Sequence, residues 1–165
     1  FVSDNGGFAK AAHMGPLKGA KSSTLEGGIR VPLIIRWPGR IEAGKKSDQV
    51  CATFDLTRSI LNLAEAKVPA KNLDGIDVID HLVKKNPDFK RTLYWRGKRG
   101  IRTWWAVRDG DLKYVRKTEG DTEEWLYDLS KDIGETNDLS KANPTQVARL
   151  KKLLTNWEKE VQPIR

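Results

Sequence analysis

Apolar positions along the chain follow several periods in turn. Phe1 and Val2 give way after Ser3 to Asp4-Asn5-Gly6-Gly7, the pattern of a strand stub running into a turn. Residues 6–28 carry many glycines and few large apolar side chains, which predicts a long loop. A loop of that length inside a compact domain is usually functional. Ile29 to Trp37, IRVPLIIRW, is a β-branched apolar run closed by Pro38-Gly39. Its near-continuous apolarity predicts a strand covered on both faces, with Pro32 at its start because a central strand cannot spare the donor. Helical spacing follows after Ser47-Asp48: Leu56, Ile60, Leu61, Leu63 and Ala64 predict a helix near Phe54–Ala64. Pro69 and the turn Asp74-Gly75 end that part, and a short helix over Val78–Lys84 stops before Pro87.

From residue 92 the period shortens to two and the apolar positions become aromatic. Thr92–Trp95, Trp104–Arg108, Leu112–Val115 and Trp125–Asp128 read as four short strands. Asp109-Gly110-Asp111 between the second and third is a hairpin signal. Such runs predict an antiparallel meander. The chain then returns to helical spacing. Asn143 is placed to cap, Pro144 suits the first helical position, and Val147, Leu150, Leu153, Leu154, Trp157 and Val161 form one stripe. Sheet and helix bury each other's apolar faces, a complete small α+β unit. The first half, with one strand, a stub and a helix, cannot close a sheet by itself. It reads as the edge of a larger α/β domain, which sets an expected division into 1–88 and 89–165.

Composition narrows the function. Of 165 residues, 30 are Lys or Arg and 22 Asp or Glu, a net charge of +8 that favours anionic partners. The bases are scattered among acids, and only Lys90–Arg102 is locally rich, so nucleic acid is not the expected partner. The single Cys51 excludes an internal disulfide framework and a cysteine-only zinc site, and Val50-Cys51-Ala52 reads as a small buried residue. No run approaches the roughly 18 apolar residues needed to cross a bilayer.

Asp4 and Asn5 are the first candidates for chemistry. Adjacent strand residues point to opposite faces, so the two meet one ion only where the chain leaves extended geometry, and Gly6-Gly7 permits that exit. The carboxyl end of a strand is where α/β sheets bind ligands. A carboxylate and an amide oxygen suit Ca²⁺ or Mg²⁺. A plain Asn-Gly turn is the competing reading on this stretch alone.

The loop's continuation adds Pro16-Leu17-Lys18-Gly19-Ala20-Lys21, then Glu26-Gly27-Gly28-Ile29-Arg30-Val31-Pro32, then Trp37-Pro38-Gly39. With Asp4-Asn5-Gly6 ahead of them, these segments resemble the sulfatase family of the alkaline-phosphatase-like superfamily. The resemblance continues through Leu73-Asp74-Gly75, Ala106–Tyr114, Leu126-Tyr127-Asp128-Leu129 and Asp132-Ile133-Gly134-Glu135, where Ile133 replaces the usual proline. It implies a divalent cation, usually Ca²⁺ with Mg²⁺ as the alternative, held partly by Asp4 and Asn5. It implies that Lys21 contacts the substrate sulfate, a catalytic and substrate-binding role. A metal ion and a fixed ammonium stabilise negative charge where the S–O bond breaks. Glu26 and Arg30 read as residues that fix the loop, each needing a partner beside a buried strand.

The family's nucleophile, a Cys or Ser oxidised to formylglycine within Cys/Ser-x-Pro-x-Arg, has no counterpart here, since Cys51 is followed by Ala52-Thr53-Phe54. Neither His13 nor His81 matches a family catalytic position. The expectation is therefore the C-terminal part of a sulfatase whose larger part precedes Phe1, inactive alone on sulfate esters. Its substrate would be a sulfate ester such as a sulfated carbohydrate, and resemblance places it in the periplasm or outside the cell. Two rivals stand beside this reading. One is a phosphoester or phosphonate hydrolase of the same superfamily. The other is a non-catalytic polyanion- or carbohydrate-binding module using Trp104, Trp105 and Lys98–Arg102.

Overall fold

The structure, a computed structural model, describes residues 1–67 and 73–161. Pro69 lies outside the described residues. The elements in chain order are α1 Glu26–Ile29, α2 Thr53–Leu63, α3 Val78–Val83, β1 Thr92–Arg99, β2 Arg102–Asp109, β3 Leu112–Glu119, β4 Asp121–Asp128 and α4 Pro144–Val161. They form two compact units, one of Phe1 and Leu33–Phe89, the other of Val2–Pro32 and Lys90–Arg165.

In the first of these units, Asp55 ties α2 to the following chain. Its carboxylate accepts the N–H of Ala52 at 2.7 Å and that of Ile76 at 2.8 Å. Gly75 belongs to the same joint, because a Cβ there would lie 2.6 Å from the Phe54 carbonyl oxygen. Asp77 caps α3 by accepting the Asp80 N–H at 2.9 Å, and Ser59 Oγ accepts that of Ile79 at 3.1 Å. The apolar run 29–37 is not a strand. Residues 26–29 form the single turn α1, and beyond it the chain is extended without a ladder. Ile34 exchanges both backbone hydrogen bonds with Phe1, at 2.8 and 2.9 Å, and remains 62% exposed. A strand needs a hydrogen-bonded neighbour along its length, and among the described residues this run finds one only at Phe1.

The other unit holds the sheet expected from the aromatic runs, antiparallel throughout in the order β1-β2-β3-β4. Gly100, Gly110 and Gly120 make its three turns with φ between +60° and +84°, a region where glycine carries no Cβ penalty. Alternation gives the sheet two apolar faces. On one, Val107, Tyr114 and Leu126 meet Leu150 and Leu154 of α4, and Tyr94 stacks on Trp157 with centroids 5.2 Å apart. Adjacent Trp104 and Trp105 part as alternation requires. Trp105 joins the α4 face, its indole N–H donating to Glu158 at 2.6 Å, while Trp104 turns to the other. That second face, with Ala106, Val115, Tyr127 and Leu129, is covered by Leu25 of the glycine-rich segment. Burial of both faces is what makes four strands of this length a stable scaffold.

Candidate functional site

The segment 2–32 has almost no regular structure, and backbone contact between glycines holds its shape. The Gly6 N–H donates to the Gly28 carbonyl at 2.9 Å, and the Lys21 N–H to the Gly7 carbonyl at 3.0 Å. The Gly27 N–H donates to the Lys18 carbonyl at 2.7 Å. A Cβ at Gly6 would sit 1.9 Å from the Gly27 carbonyl oxygen, one at Gly27 2.3 Å from that of Gly19, and one at Gly28 2.2 Å from that of Ser23. Residues 6–7, 18–23 and 27–28 therefore pack main chain on main chain. This is the physical content of Asp-Asn-Gly, Gly-x-Lys and Glu-Gly-Gly.

The packing brings the turn at Asp4-Asn5 beside the turn that carries Lys21. Lys21 stands in a tight turn closed by the Ser23 N–H to the Ala20 carbonyl at 3.0 Å. Ser22, next to it, has φ +81°, a conformation that favours glycine, and non-glycine residues held there concentrate at functional sites. Asp4 and Lys21 are exposed and Asn5 half-buried. Among the described residues no ion pair involves Asp4 or Lys21. Lys18, by contrast, has a structural post: its ammonium donates to the Glu135 carbonyl at 3.2 Å and lies 5.7 Å from the centre of the Tyr127 ring.

A buried charge cluster fastens this segment to the sheet. Lys113 of β3 has a fully buried side chain, and its Nζ lies 2.8 Å from Glu26 Oε1 and 2.8 Å from Glu135 Oε1. The contact to Glu26 is a hydrogen bond. The contact to Glu135 is a charge contact without directed hydrogen-bond geometry, since Oε1 finds no such partner. Glu135 Oε2 accepts the Glu26 N–H at 2.7 Å, and Arg30 donates to Glu26 Oε2 at 2.6 Å. The two carboxyls are driven apart. Burial works to raise Glu26, but Lys113 and Arg30 outweigh it and hold Glu26 below the usual carboxylate range. At Glu135 burial wins against Lys113, and its carboxyl is raised. Glu135 also has φ +54°, in the left-handed region.

Glu26 and Arg30 find partners as their charge requires. Lys113 and Glu135 escape sequence reasoning as a pair. A lysine between Leu112 and Tyr114 looks like an ordinary exposed strand position, and only the burial pattern of β3 marks it. The family-like Asp132–Glu135 stretch was the available signal for Glu135.

The donor set at Asp4 and Asn5 fits part of a hard-cation site: one carboxylate and one amide oxygen at the mouth of a glycine turn. A Ca²⁺ ion takes six to eight oxygens. Among the described residues no group of three or more His, Cys, Asp or Glu side chains could hold a metal. These two residues would thus be contributors to a larger set. Likewise, no helix among the described residues is long and apolar enough to cross a membrane.

Comparison with known proteins agrees with this architecture. A family model described as N-sulphoglucosamine sulphohydrolase, C-terminal, matches residues 20–161. An uncharacterized sulfatase of Schizosaccharomyces pombe is 40% identical over 152 residues, covering 83% of this chain and 26% of that protein. N-acetylgalactosamine-6-sulfatase of Mus musculus is 37% identical over 119 residues, covering 68% of this chain and 22% of that protein. Among solved structures, that of Ps i-CgsB in complex with k-i-k-neocarrahexaose superimposes with a TM-score of 0.82 at 32% identity, covering 95% of this chain and 35% of that one. The chain spans about a quarter of the length of these curated relatives. It carries the antiparallel sheet and closing helix of the solved relative's fold. The chain belongs to the sulfatase family and corresponds to the C-terminal domain described for the N-sulphoglucosamine sulphohydrolases.

Proposed function

We propose that this chain supplies part of the active site of a sulfatase that hydrolyses a sulfate ester of a carbohydrate. In this reading Lys21 contacts the sulfate, and Asp4 and Asn5 contribute ligands to a divalent cation, Ca²⁺ ahead of Mg²⁺. The formylglycine nucleophile comes from a segment outside this chain. The observation that carries the reading is the pair of backbone hydrogen bonds, Gly6 to Gly28 and Lys21 to Gly7, that holds the Asp-Asn turn against the lysine turn.

The division of labour follows from charge. As the S–O bond breaks, negative charge gathers on the leaving oxygen. A fixed ammonium placed where that charge develops lowers the barrier. The cation, when bound, would supply a second positive charge at the sulfate oxygens. Lys21 suits the task because backbone hydrogen bonds close its turn and no carboxylate neutralises it among the described residues. The carbohydrate class is supported by the relatives, one named for an N-acetylgalactosamine sulfate and one solved with a neocarrahexaose. A periplasmic or secreted location belongs to the same reading.

The test is Lys21→Ala in the complete enzyme, assayed on a sulfated sugar and on an aryl sulfate. Loss of about 10²–10³-fold in kcat with unchanged secondary structure is expected. Turnover at the wild-type rate would overturn the role of Lys21.

A further inference from the structure

The β1–β2 hairpin reaches the same loop from the other side. Arg99, the last residue of β1, donates from Nη1 to Ser22 Oγ at 3.4 Å, one residue from Lys21. Nearby cations on this face are engaged with acids. Arg102 makes a two-pronged contact with Glu119 at 2.6 and 2.7 Å, and Lys117 pairs with Glu123 at 2.8 Å. Arg99 has no carboxylate partner among the described residues.

Beside Arg99 lies an opening in the sheet. Gly97 stands directly across from Trp104 in the β1–β2 register. A Cβ at Gly97 would meet nothing within 4 Å, so the space directly over Gly97, across from Trp104, is open. On its other flank Lys117 lies 5.9 Å from the Trp104 ring centre, and Trp125 stacks behind it at 6.2 Å. Glycine inside a strand weakens pairing and marks places where a ligand approaches the main chain closely. A half-buried indole beside a glycine gap offers an apolar face to the C–H side of a sugar ring. A guanidinium two residues along, bonded to a hydroxyl and to no carboxylate, suits a sulfate, which it can grip with two parallel N–H groups.

We propose that Gly97, Arg99 and Trp104 form an accessory subsite for a second sulfated sugar of an oligosaccharide, next to the sugar whose sulfate Lys21 contacts. Trp104 carries the ring in the gap left by Gly97, and Arg99 binds its sulfate. The inference rests on the Proposed function only for the neighbouring position. The subsite itself makes a separate demand on binding.

The experiment measures binding of a sulfated neocarrahexaose, its desulfated form and inorganic sulfate to the full chain by calorimetry. Variants Arg99→Ala and Gly97→Val are compared with Lys98→Ala, whose side chain alternation directs to the opposite face. Valine suits a strand and has room at position 97, so Gly97→Val fills the gap without unfolding the sheet. Both Arg99→Ala and Gly97→Val are expected to weaken the sulfated hexasaccharide at least about tenfold, with Lys98→Ala at the wild-type level. Desulfation should erase the Arg99 effect and leave that of Gly97→Val. Wild-type binding by either variant, or no hexasaccharide binding to the wild type, overturns the subsite. Loss of activity in Lys21→Ala with normal binding in Arg99→Ala sinks the subsite alone. The converse pattern sinks the Lys21 reading alone.

Discussion

Replacing Lys113 by methionine tests the link between sheet and loop most directly. The substitution keeps the length and apolar stem of the side chain and removes only the ammonium. Two carboxyls then lose their shared cation where solvent does not reach: Glu135 is 0% exposed and Glu26 3%. Glu26 keeps Arg30 at 2.6 Å, whereas Glu135 keeps no cation among those that contact it. Breaking a buried pair by removing one partner costs about 3–5 kcal/mol, because the charge left behind stays desolvated. The retained Arg30 places the expectation at the lower end. Urea unfolding followed by tryptophan emission reads it cleanly, since all but Trp37 of the tryptophans belong to the unit that contains the sheet.

The pH dependence supplies a second reading with a definite sign. In the wild type Glu26 lies below its ordinary value of 4.5, so its contribution is fully present above 4.5 and is lost as pH falls through its folded value. Glu135 lies above 4.5, so its penalty at neutral pH is relieved as pH falls from its folded value toward 4.5. Without Lys113 the already raised Glu135 loses the cation that opposed its burial and favours the protonated form further, while Glu26 keeps Arg30. The deficit of Lys113→Met should therefore shrink as pH is lowered from 7 toward 5. A loss under about 1 kcal/mol at pH 7, or a deficit that grows on acidification, would refute the argument.

Two further outcomes follow from the loop geometry. Gly28→Ala puts a methyl 2.2 Å from the Ser23 carbonyl oxygen and 2.6 Å from that of Ala20, and should lower stability by about 1–3 kcal/mol in a thermal melt; an unchanged midpoint would contradict the close approach. Asp4→Ala in the complete enzyme should raise the Ca²⁺ concentration needed for half-maximal turnover at least about tenfold, and an unshifted calcium titration would remove Asp4 from the ligand set.

The sheet, its hairpin at Gly110 and helix α4 were legible because their signals are local: alternation, turn residues and a 3.6-residue stripe. Helices α2 and α3 fall within a residue of the spans their spacing predicts. The run at Ile29–Trp37 misled because apolar β-branched residues state a wish for cover, while a strand is made by a neighbour the local pattern does not name. The loop's cover of the second sheet face was equally hidden. Among the described residues Leu25 is the buried apolar side chain that the loop places there, and a single residue has no period. Family-like motifs did mark the loop, but not why they are spaced so. The reason is three-dimensional: Gly6, Gly27 and Gly28 touch across more than 20 residues, and Lys113 answers Glu26 from 87 residues away.

That last span has a consequence for truncated forms of the protein. A chain stopping short of residue 112 would keep every group proposed for sulfate or cation, and Arg99 and Trp104 besides. It would still lack the ammonium on which Glu26 closes and the acid that receives the Glu26 amide. The proposed recognition groups would survive as chemistry and be lost as an arrangement.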